Sequence, residues 1–119
     1  MSINKSYYVI AGYDLTNYKT DKYEDWKWTN EGEQFLCYHV KDRIQLFDDH
    51  MSGSHLYLGR ILAAGDEWNF ETTKFGVIDV QESFGDVTWV LYRLQHEGVV
   101  SKDANNVPVF QIIAFEECS

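Results

Sequence analysis

Four side chains that could bind a metal ion lie close together in the stretch LFDDHMSGSHLYLG. Asp48, Asp49, His50 and His55 offer the oxygen and nitrogen ligands that divalent metals use in proteins. A hairpin tip could bring these four side chains into one site. The pattern therefore raises the hypothesis of a small metal-dependent hydrolase that uses the 48–55 loop.

The same stretch is also typical of a polar turn between two strands. Gly53 tolerates a positive φ, and Ser52 and Ser54 can hydrogen-bond to nearby backbone groups. The spacing of the acids and histidines matches no established ligand motif, and carboxylates are common throughout this chain. We therefore interpret the stretch as a hairpin with a solvated tip, and keep metal binding and partner contact as alternatives.

Catalytic fingerprints are absent from the rest of the sequence. It holds no GxSxG, HExxH, P-loop or GxGxxG motif, and His39 and His96 stand in no fixed relation to a nucleophile. The paired acids Glu116 and Glu117 would point to opposite faces of a strand, so one pocket would not receive both. The sequence thus favours a protein that is not an enzyme, with no catalytic residue and no cofactor.

An amphipathic helix is predicted over residues 79–97. Apolar side chains recur there at spacings of four and three, which places them along one side of a helix. They are Val80, Phe84, Val87, Leu91 and Leu94. Asp79 and Glu82 match a capping box, and Gly98 can end the helix in a left-handed conformation.

The same helix carries a second stripe, roughly opposite the first. Trp89, Tyr92 and His96 follow Gly85 at spacings of four, three and four. If one face packs on a sheet, these rings need another covering, and large aromatics are enriched in interface hot spots. We predict that the stripe binds a partner or pairs two copies of the chain through the helix; the alternative is that the segment 17–28 covers it.

An acidic and aromatic segment could extend this surface. Asp21, Tyr23, Glu24, Asp25 and Trp26 interleave carboxylates with rings. Such a surface suits docking onto a basic groove of another protein, including a groove that normally accepts nucleic acid. The predicted partner is therefore a protein with a basic surface.

The net charge and the lengths of the apolar runs exclude some classes of function. The 119 residues carry a formal net charge of −9, which argues against direct binding to nucleic acid because that binding depends on Lys and Arg. The longest apolar runs fall far short of the roughly 20 residues that a membrane span needs, and the first residues do not resemble a signal peptide. We therefore expect a cytoplasmic protein without membrane contact, in which Cys37 and Cys118 act as small hydrophobes.

Alternating and apolar segments predict an α+β fold in a single domain, 1–119. The expected architecture is an antiparallel sheet of about five to six strands, with the one helix packed on it and a C-terminal strand returning to it. The strand of residues 6–16 is apolar on both faces, which indicates an interior position. The other predicted strands or hairpins are 26–40, 43–47, 55–65, 67–78 and 107–117.

Several phrases resemble those of small uncharacterised proteins of large lytic tailed phages that infect Gram-positive bacteria. They are YYVIAGYDLTNY, YEDWKWTNEGE, IQLFDDHMSGSHLYLG, GDEWNFETTKF and QIIAFEE. The resemblance covers most of the chain but carries no catalytic motif. It implies takeover of a host cell, in whose cytoplasm such a protein binds and disables a host or defence protein. A minor structural component of the virion is the remaining alternative.

Overall fold

A computed structural model describes five stretches of the chain: residues 5–40, 43–49, 55–65, 77–102 and 108–118. Its elements in chain order are β1 (Lys5–Asp14), α1 (Tyr23–Trp26), α2 (Asn30–Val40), β2 (Ile44–Asp49), β3 (His55–Gly65), α3 (Val77–His96) and β4 (Gln111–Cys118). The fold is α+β, as predicted. It has four strands and three helices within these stretches, where the sequence suggested five to six strands and one helix.

The strands form one antiparallel sheet in the order β2-β3-β1-β4. The interior position predicted for β1 is confirmed, because β1 lies between β3 and β4. The pairing of β2 with β3, which ends with Asp49 opposite His55, confirms the predicted strand pair around the 48–55 loop. The strand predicted at the C-terminal end is also confirmed as β4, although it starts only at Gln111.

The sheet is strongly curled. Tyr57 on β3 lies opposite Asp14 at one end of β1, and Phe115 on β4 lies opposite Tyr8 near the other end. Six residues of extended chain would separate those two positions by roughly 20 Å in a flat sheet. The ring centroids of Tyr57 and Phe115 are nevertheless only 4.9 Å apart. The two ends of the sheet therefore fold toward each other across one face.

A bulge in β3 contributes to this curl. Val9 pairs with Ala63 and Ile10 pairs with Ile61, so Leu62 has no partner on β1. An extra residue on one strand bends that strand and increases its twist.

A pair of facing glycines contributes as well. Gly12 and Gly59 lie opposite each other in the pair of β1 with β3. A Cβ on Gly12 would collide with the carbonyl oxygen of Leu58, and a Cβ on Gly59 would lie 2.8 Å from Cδ1 of Ile10. The two strands can approach this closely only because neither residue has a side chain.

The curl encloses an aromatic core, which we call the concave cluster. Its buried members are Ile10, Phe47, Tyr57 and Phe115, with Tyr8, Ile61 and Ile113 packed against them. The ring of Phe115 lies 5.2 Å from that of Phe47 and 5.6 Å from that of Tyr8, within the range of favourable aromatic contact. Residues from all four strands therefore close one side of the sheet.

Helix α3 packs against the opposite face of the sheet and forms a second core. Val87, Val90, Leu91 and Leu94 are fully or almost fully buried there. Arg60 on β3 makes a 2.6 Å ion pair from Nη2 to Oδ2 of Asp86 on α3. This helix-side core holds the helix in a fixed orientation on the sheet.

The helix predicted over residues 79–97 is confirmed, but its start differs. It already includes Val77, so Asp79 lies within the helix and is not its N-cap, and the predicted capping box is wrong. The last three members of the predicted stripe are almost fully buried, but Phe84 is 52% exposed and the neighbouring Ser83 is completely buried. Nη1 of Arg60 lies 3.4 Å from the hydroxyl of Ser83, so a polar contact and not an apolar ring occupies this part of the helix–sheet interface.

The end of α3 matches its prediction. Gly98 has a φ of +76°, the left-handed conformation expected of it. The backbone N–H of Val99 donates to the carbonyl of Leu94 at 2.9 Å, and that of Gly98 donates to Gln95 at 3.2 Å. These are the two hydrogen bonds of a Schellman motif, which satisfies carbonyls that the helix end would leave open.

The strand or hairpin predicted over residues 26–40 is wrong, because most of this segment is helix α2. Thr29 begins the helix: its hydroxyl accepts a hydrogen bond from the N–H of Gly32 at 3.0 Å, and its carbonyl accepts one from Glu33 at 2.9 Å. Such a cap stabilises a helix by about 1 kcal/mol. In this segment Cys37 is exposed, which corrects its predicted role as a small buried hydrophobe.

The strand predicted over residues 67–78 lies mostly outside the described residues. Its last two positions, Val77 and Ile78, are the first residues of α3 and not part of a strand.

Candidate partner-binding groove

An open groove of about 500 Å³ lies between α2 and α3. It is lined by Trp26, Glu31, Gln34, Phe35, Tyr38, Trp89, Arg93 and Glu97. Half of these residues are aromatic and three are charged. Its volume is within the range of about 300–1,000 Å³ that is usual for ligand sites.

Trp26 is held in the groove wall by the corner between α1 and α2. The hydroxyl of Thr29 donates to the carbonyl oxygen of Trp26 at 2.7 Å while it caps α2. Gly32 packs so closely against that carbonyl that any side chain would collide with it. Phe35 then meets the indole edge-on, with ring centroids 5.5 Å apart. The cap, the glycine and the ring together fix the position of Trp26.

The opposite wall is a single ridge of α3. Trp89, Arg93 and Glu97 are spaced four residues apart, so they lie above one another on the helix surface. The guanidinium carbon of Arg93 lies 5.8 Å from the centroid of the Trp89 ring. Nη2 of Arg93 also lies 3.7 Å from Oε1 of Glu97, a long and exposed ion pair. The ridge thus presents a ring, a cation and an acid in sequence.

The charges of the groove do not balance. Two carboxylates, on Glu31 and Glu97, accompany one guanidinium, on Arg93. Glu31 is exposed and forms no ion pair with another residue that the structure describes. The lining therefore has a net negative charge, in keeping with the −9 of the whole chain.

One buried polar atom in this region is unsatisfied. Nε1 of Trp26 is inaccessible to solvent and has no hydrogen-bond acceptor among the described residues. Buried indole N–H groups usually find such a partner.

The structure brings together the two segments that the sequence singled out. Trp89 from the second stripe and Trp26 from the acidic segment line the same groove. Tyr92 is 62% exposed and His96 is exposed, but both lie beside the lining ridge and outside the groove. Tyr23 is only 9% exposed and packs in the helix-side core, so it is not available to a partner.

The predicted acids Asp21, Glu24 and Asp25 are all exposed around α1. Glu24 forms a 2.8 Å ion pair with Lys27. Nζ of Lys27 also lies 5.5 Å from the ring centroid of Trp28, whose side chain is 80% exposed. The segment therefore shows solvent a mixed acidic and aromatic surface next to Trp26.

Sequence reasoning missed six of the eight residues that line the groove. They are Glu31, Gln34, Phe35, Tyr38, Arg93 and Glu97. Those on α2 recur at positions separated by three and four, which is helical spacing. The aromatic residues of the same segment also suit a strand, which is the structure that the sequence predicts there. Arg93 and Glu97 follow Trp89 in steps of four along the same side of the helix. They form no apolar stripe, because both are charged.

The predicted metal site is not tested by the structure. The side chains of Asp48, Asp49 and His55, and the whole of His50, lie outside the described residues. Elsewhere, within the described stretches, no three His, Cys, Asp or Glu side chains are grouped so that they could hold a metal ion. The hydrolase alternative stays a prediction.

Comparison of the chain with protein-family models, with curated proteins and with solved structures found no match. Among the helices that the structure describes, none combines the length and the apolar character needed to cross a membrane.

Proposed function

We propose that the protein acts by binding another protein, with the groove between α2 and α3 and the exposed acids around α1 as its contact surface. The convergence of Trp26 and Trp89 in one open, negatively charged groove supports this proposal. Exposed aromatic side chains with acidic neighbours are suited to a partner with a basic surface. In the setting that the phage resemblance implies, that partner is a host or defence protein that the bound chain inhibits.

Binding to a partner accounts better for this surface than pairing of two copies does. Trp89 and Tyr92 on α3 are both more than half exposed, which leaves the helix open to contact. Two copies would each bring a charge of −9, however, and the repulsion between them opposes association.

Affinity capture from a lysate of a susceptible bacterium, with matched baits, tests the proposal. The wild type and Tyr92→Ala should retain the same protein, whereas Trp89→Ala should lose it. The reason is that Trp89 lines the groove and Tyr92 does not. The captured protein is then purified and must bind the wild-type chain stoichiometrically. Reproducible failure to capture any protein, or equal capture by all three baits, would reject the groove as a partner site.

Charge reversal of the α1 acids tests the electrostatic part of the proposal. Lysine at Asp21, Glu24 and Asp25 should slow association with the purified partner and flatten its salt dependence, since surface charges mainly act on the rate of encounter. Unchanged association rates would remove these three residues from the contact surface while leaving the groove in place.

A further inference from the structure

We propose that the groove between α2 and α3 recognises a basic peptide segment of the partner by enclosing one cationic side chain, an arginine or lysine. This inference rests on the proposed function, because it names the chemistry of the partner at the same site. It adds that recognition depends on the positive charge of one side chain and not only on apolar contact.

The first support is that this protein already places cations against aromatic rings in and beside the groove. Within the groove the guanidinium of Arg93 lies 5.8 Å from the centroid of Trp89. Next to the groove, Nζ of Lys27 lies 5.4 Å from the ring of Tyr23 and 5.5 Å from that of Trp28. Cations within about 6 Å of a ring centroid are attracted by its negative face, and tryptophan is the strongest partner.

The second support is the charge of the lining. Arg93 contacts the ring of Trp89 and forms a long ion pair with the carboxylate of Glu97. Glu31 on the facing helix has no ion-pair partner among the described residues. A cation that enters between the two helices would meet the carboxylate of Glu31 and aromatic rings from both walls of the groove. An anionic side chain would be repelled by the same lining.

The third support is the shape of the site. A groove of about 500 Å³ is large enough to accept a side chain. Its open side allows a chain to lie across it. These dimensions match a peptide segment that inserts one long side chain, and the aliphatic stem of arginine or lysine can pack on the rings.

Calorimetric titration with two short peptides tests this inference. The first is an acetylated and amidated peptide of alternating glycine and arginine; the second replaces each arginine with citrulline, which has nearly the same shape but no charge. The wild type should bind the arginine peptide and should bind the citrulline peptide at least about tenfold more weakly. A lysine peptide should bind as well. Equal affinity for the arginine and citrulline peptides would overturn the inference.

Matched variants separate a specific site from general attraction to an acidic protein. Glu31→Gln and Trp89→Ala should weaken binding of the arginine peptide by roughly threefold to tenfold. Glu33→Gln and Tyr92→Ala should leave it unchanged, because these residues lie on the same helices but outside the lining. Equal losses in Glu31→Gln and Glu33→Gln would mean that only overall charge matters. All four sites are exposed, and circular dichroism should show that each variant is folded.

The outcomes also distinguish this inference from the proposed function. If a protein is captured in a Trp89-dependent manner but the arginine peptide does not bind, the cation site is wrong and the partner-binding groove stands. If the peptide binds at Glu31 and Trp89 but no protein depends on Trp89, the cation site stands and the proposed function fails.

Discussion

The concave cluster and the groove between α2 and α3 are both built from four aromatic side chains, yet they differ in every other respect. In the concave cluster the rings of Phe47, Tyr57 and Phe115 are buried, and the partly buried ring of Tyr8 and three isoleucines accompany them. In the groove Trp89 is 52% exposed, and three charged residues share the lining. One set of rings is closed by the strands themselves, and the other is left open between two helices.

The difference in burial has a different physical consequence for each set of rings. Burying an aromatic side chain contributes to folding because its apolar area is removed from water. A ring that stays half exposed contributes less to folding and keeps area that a partner can cover. Stability should therefore be sensitive to the concave cluster and nearly insensitive to the groove, whereas binding should show the opposite pattern.

Truncation of the concave cluster should have the largest effect. Phe115→Ala removes the ring that contacts Tyr8, Phe47 and Tyr57, and should lower the free energy of unfolding by about 3–5 kcal/mol. Phe84→Ala is the matched control, because that ring is 52% exposed, and it should cost about 1 kcal/mol or less. Urea denaturation measures both. Equal losses of unfolding free energy would show that a buried ring contributes no more to stability than an exposed one.

The bend that seals the cluster gives the second prediction. Gly12→Ala places a Cβ against the carbonyl of Leu58, so the strands must move apart, at a cost of about 1–3 kcal/mol. Gly85→Ala is the control, since a Cβ there meets no atom within 4 Å and should instead stabilise α3 by about 0.5–1 kcal/mol. Thermal unfolding should show shifts of opposite sign. A neutral Gly12→Ala would show that the curl does not require this close approach.

A buried phenol in the helix-side core provides a smaller, pH-dependent effect. Burial raises the pKa of Tyr13 above its ordinary value of about 10, although its hydrogen bond with Thr88 opposes the shift. Because the folded state favours the protonated phenol, its contribution is complete below about pH 10 and is lost as the pH rises through the raised value.

Tyr13→Phe should accordingly cost about 1 kcal/mol at neutral pH through loss of the Thr88 hydrogen bond. It should also reduce the decline in stability at alkaline pH. Tyr38→Phe, at an exposed ring on α2, serves as the control. Urea titrations between pH 8 and pH 11 measure the effect, and an unchanged alkaline limb in Tyr13→Phe would assign the decline to other groups.

The smallest effect on stability is expected in the groove. Trp89→Ala removes an open ring and its contact with Arg93, and should change the free energy of unfolding by less than about 1 kcal/mol. The same variant should lose binding, as proposed above. A loss of several kcal/mol would show that Trp89 contributes to stability as much as the buried rings of the concave cluster do. The groove and the concave cluster would then not differ in their effect on stability.

Local patterns predicted the parts of this fold that depend on neighbouring residues. The apolar β1, the β2–β3 pair and the left-handed Gly98 all follow from short-range rules of spacing and backbone conformation. Helix α2 was missed because its aromatic residues also suit a strand, and the deciding cap at Thr29 depends on a single hydrogen bond to Gly32. The curl was not predictable, since it arises from residues such as Gly12 and Gly59 that meet only across strands.

The candidate site was predictable in the same partial way. Trp89 follows from the helical spacing of the second stripe, and Trp26 from the interleaving of rings with carboxylates, so local pattern was enough to select them. Glu31 and Arg93 were not selected, because charged residues on helices are common and only the meeting of α2 with α3 gives these two a shared environment.

The position of β4 has a consequence for the order of folding. Among the described strands it pairs only with β1, and Phe115 meets Tyr8 more than a hundred positions earlier in the chain. Such distant pairing must close a very long loop before it gains any contact energy, so assembly of the sheet should be slow compared with that of a helical bundle of equal size. Until β4 pairs with β1, one edge of β1 has unpaired backbone groups. The rings of Tyr8, Phe47 and Tyr57 are then also without their contacts to Phe115. A nascent chain at that stage is an aggregation hazard.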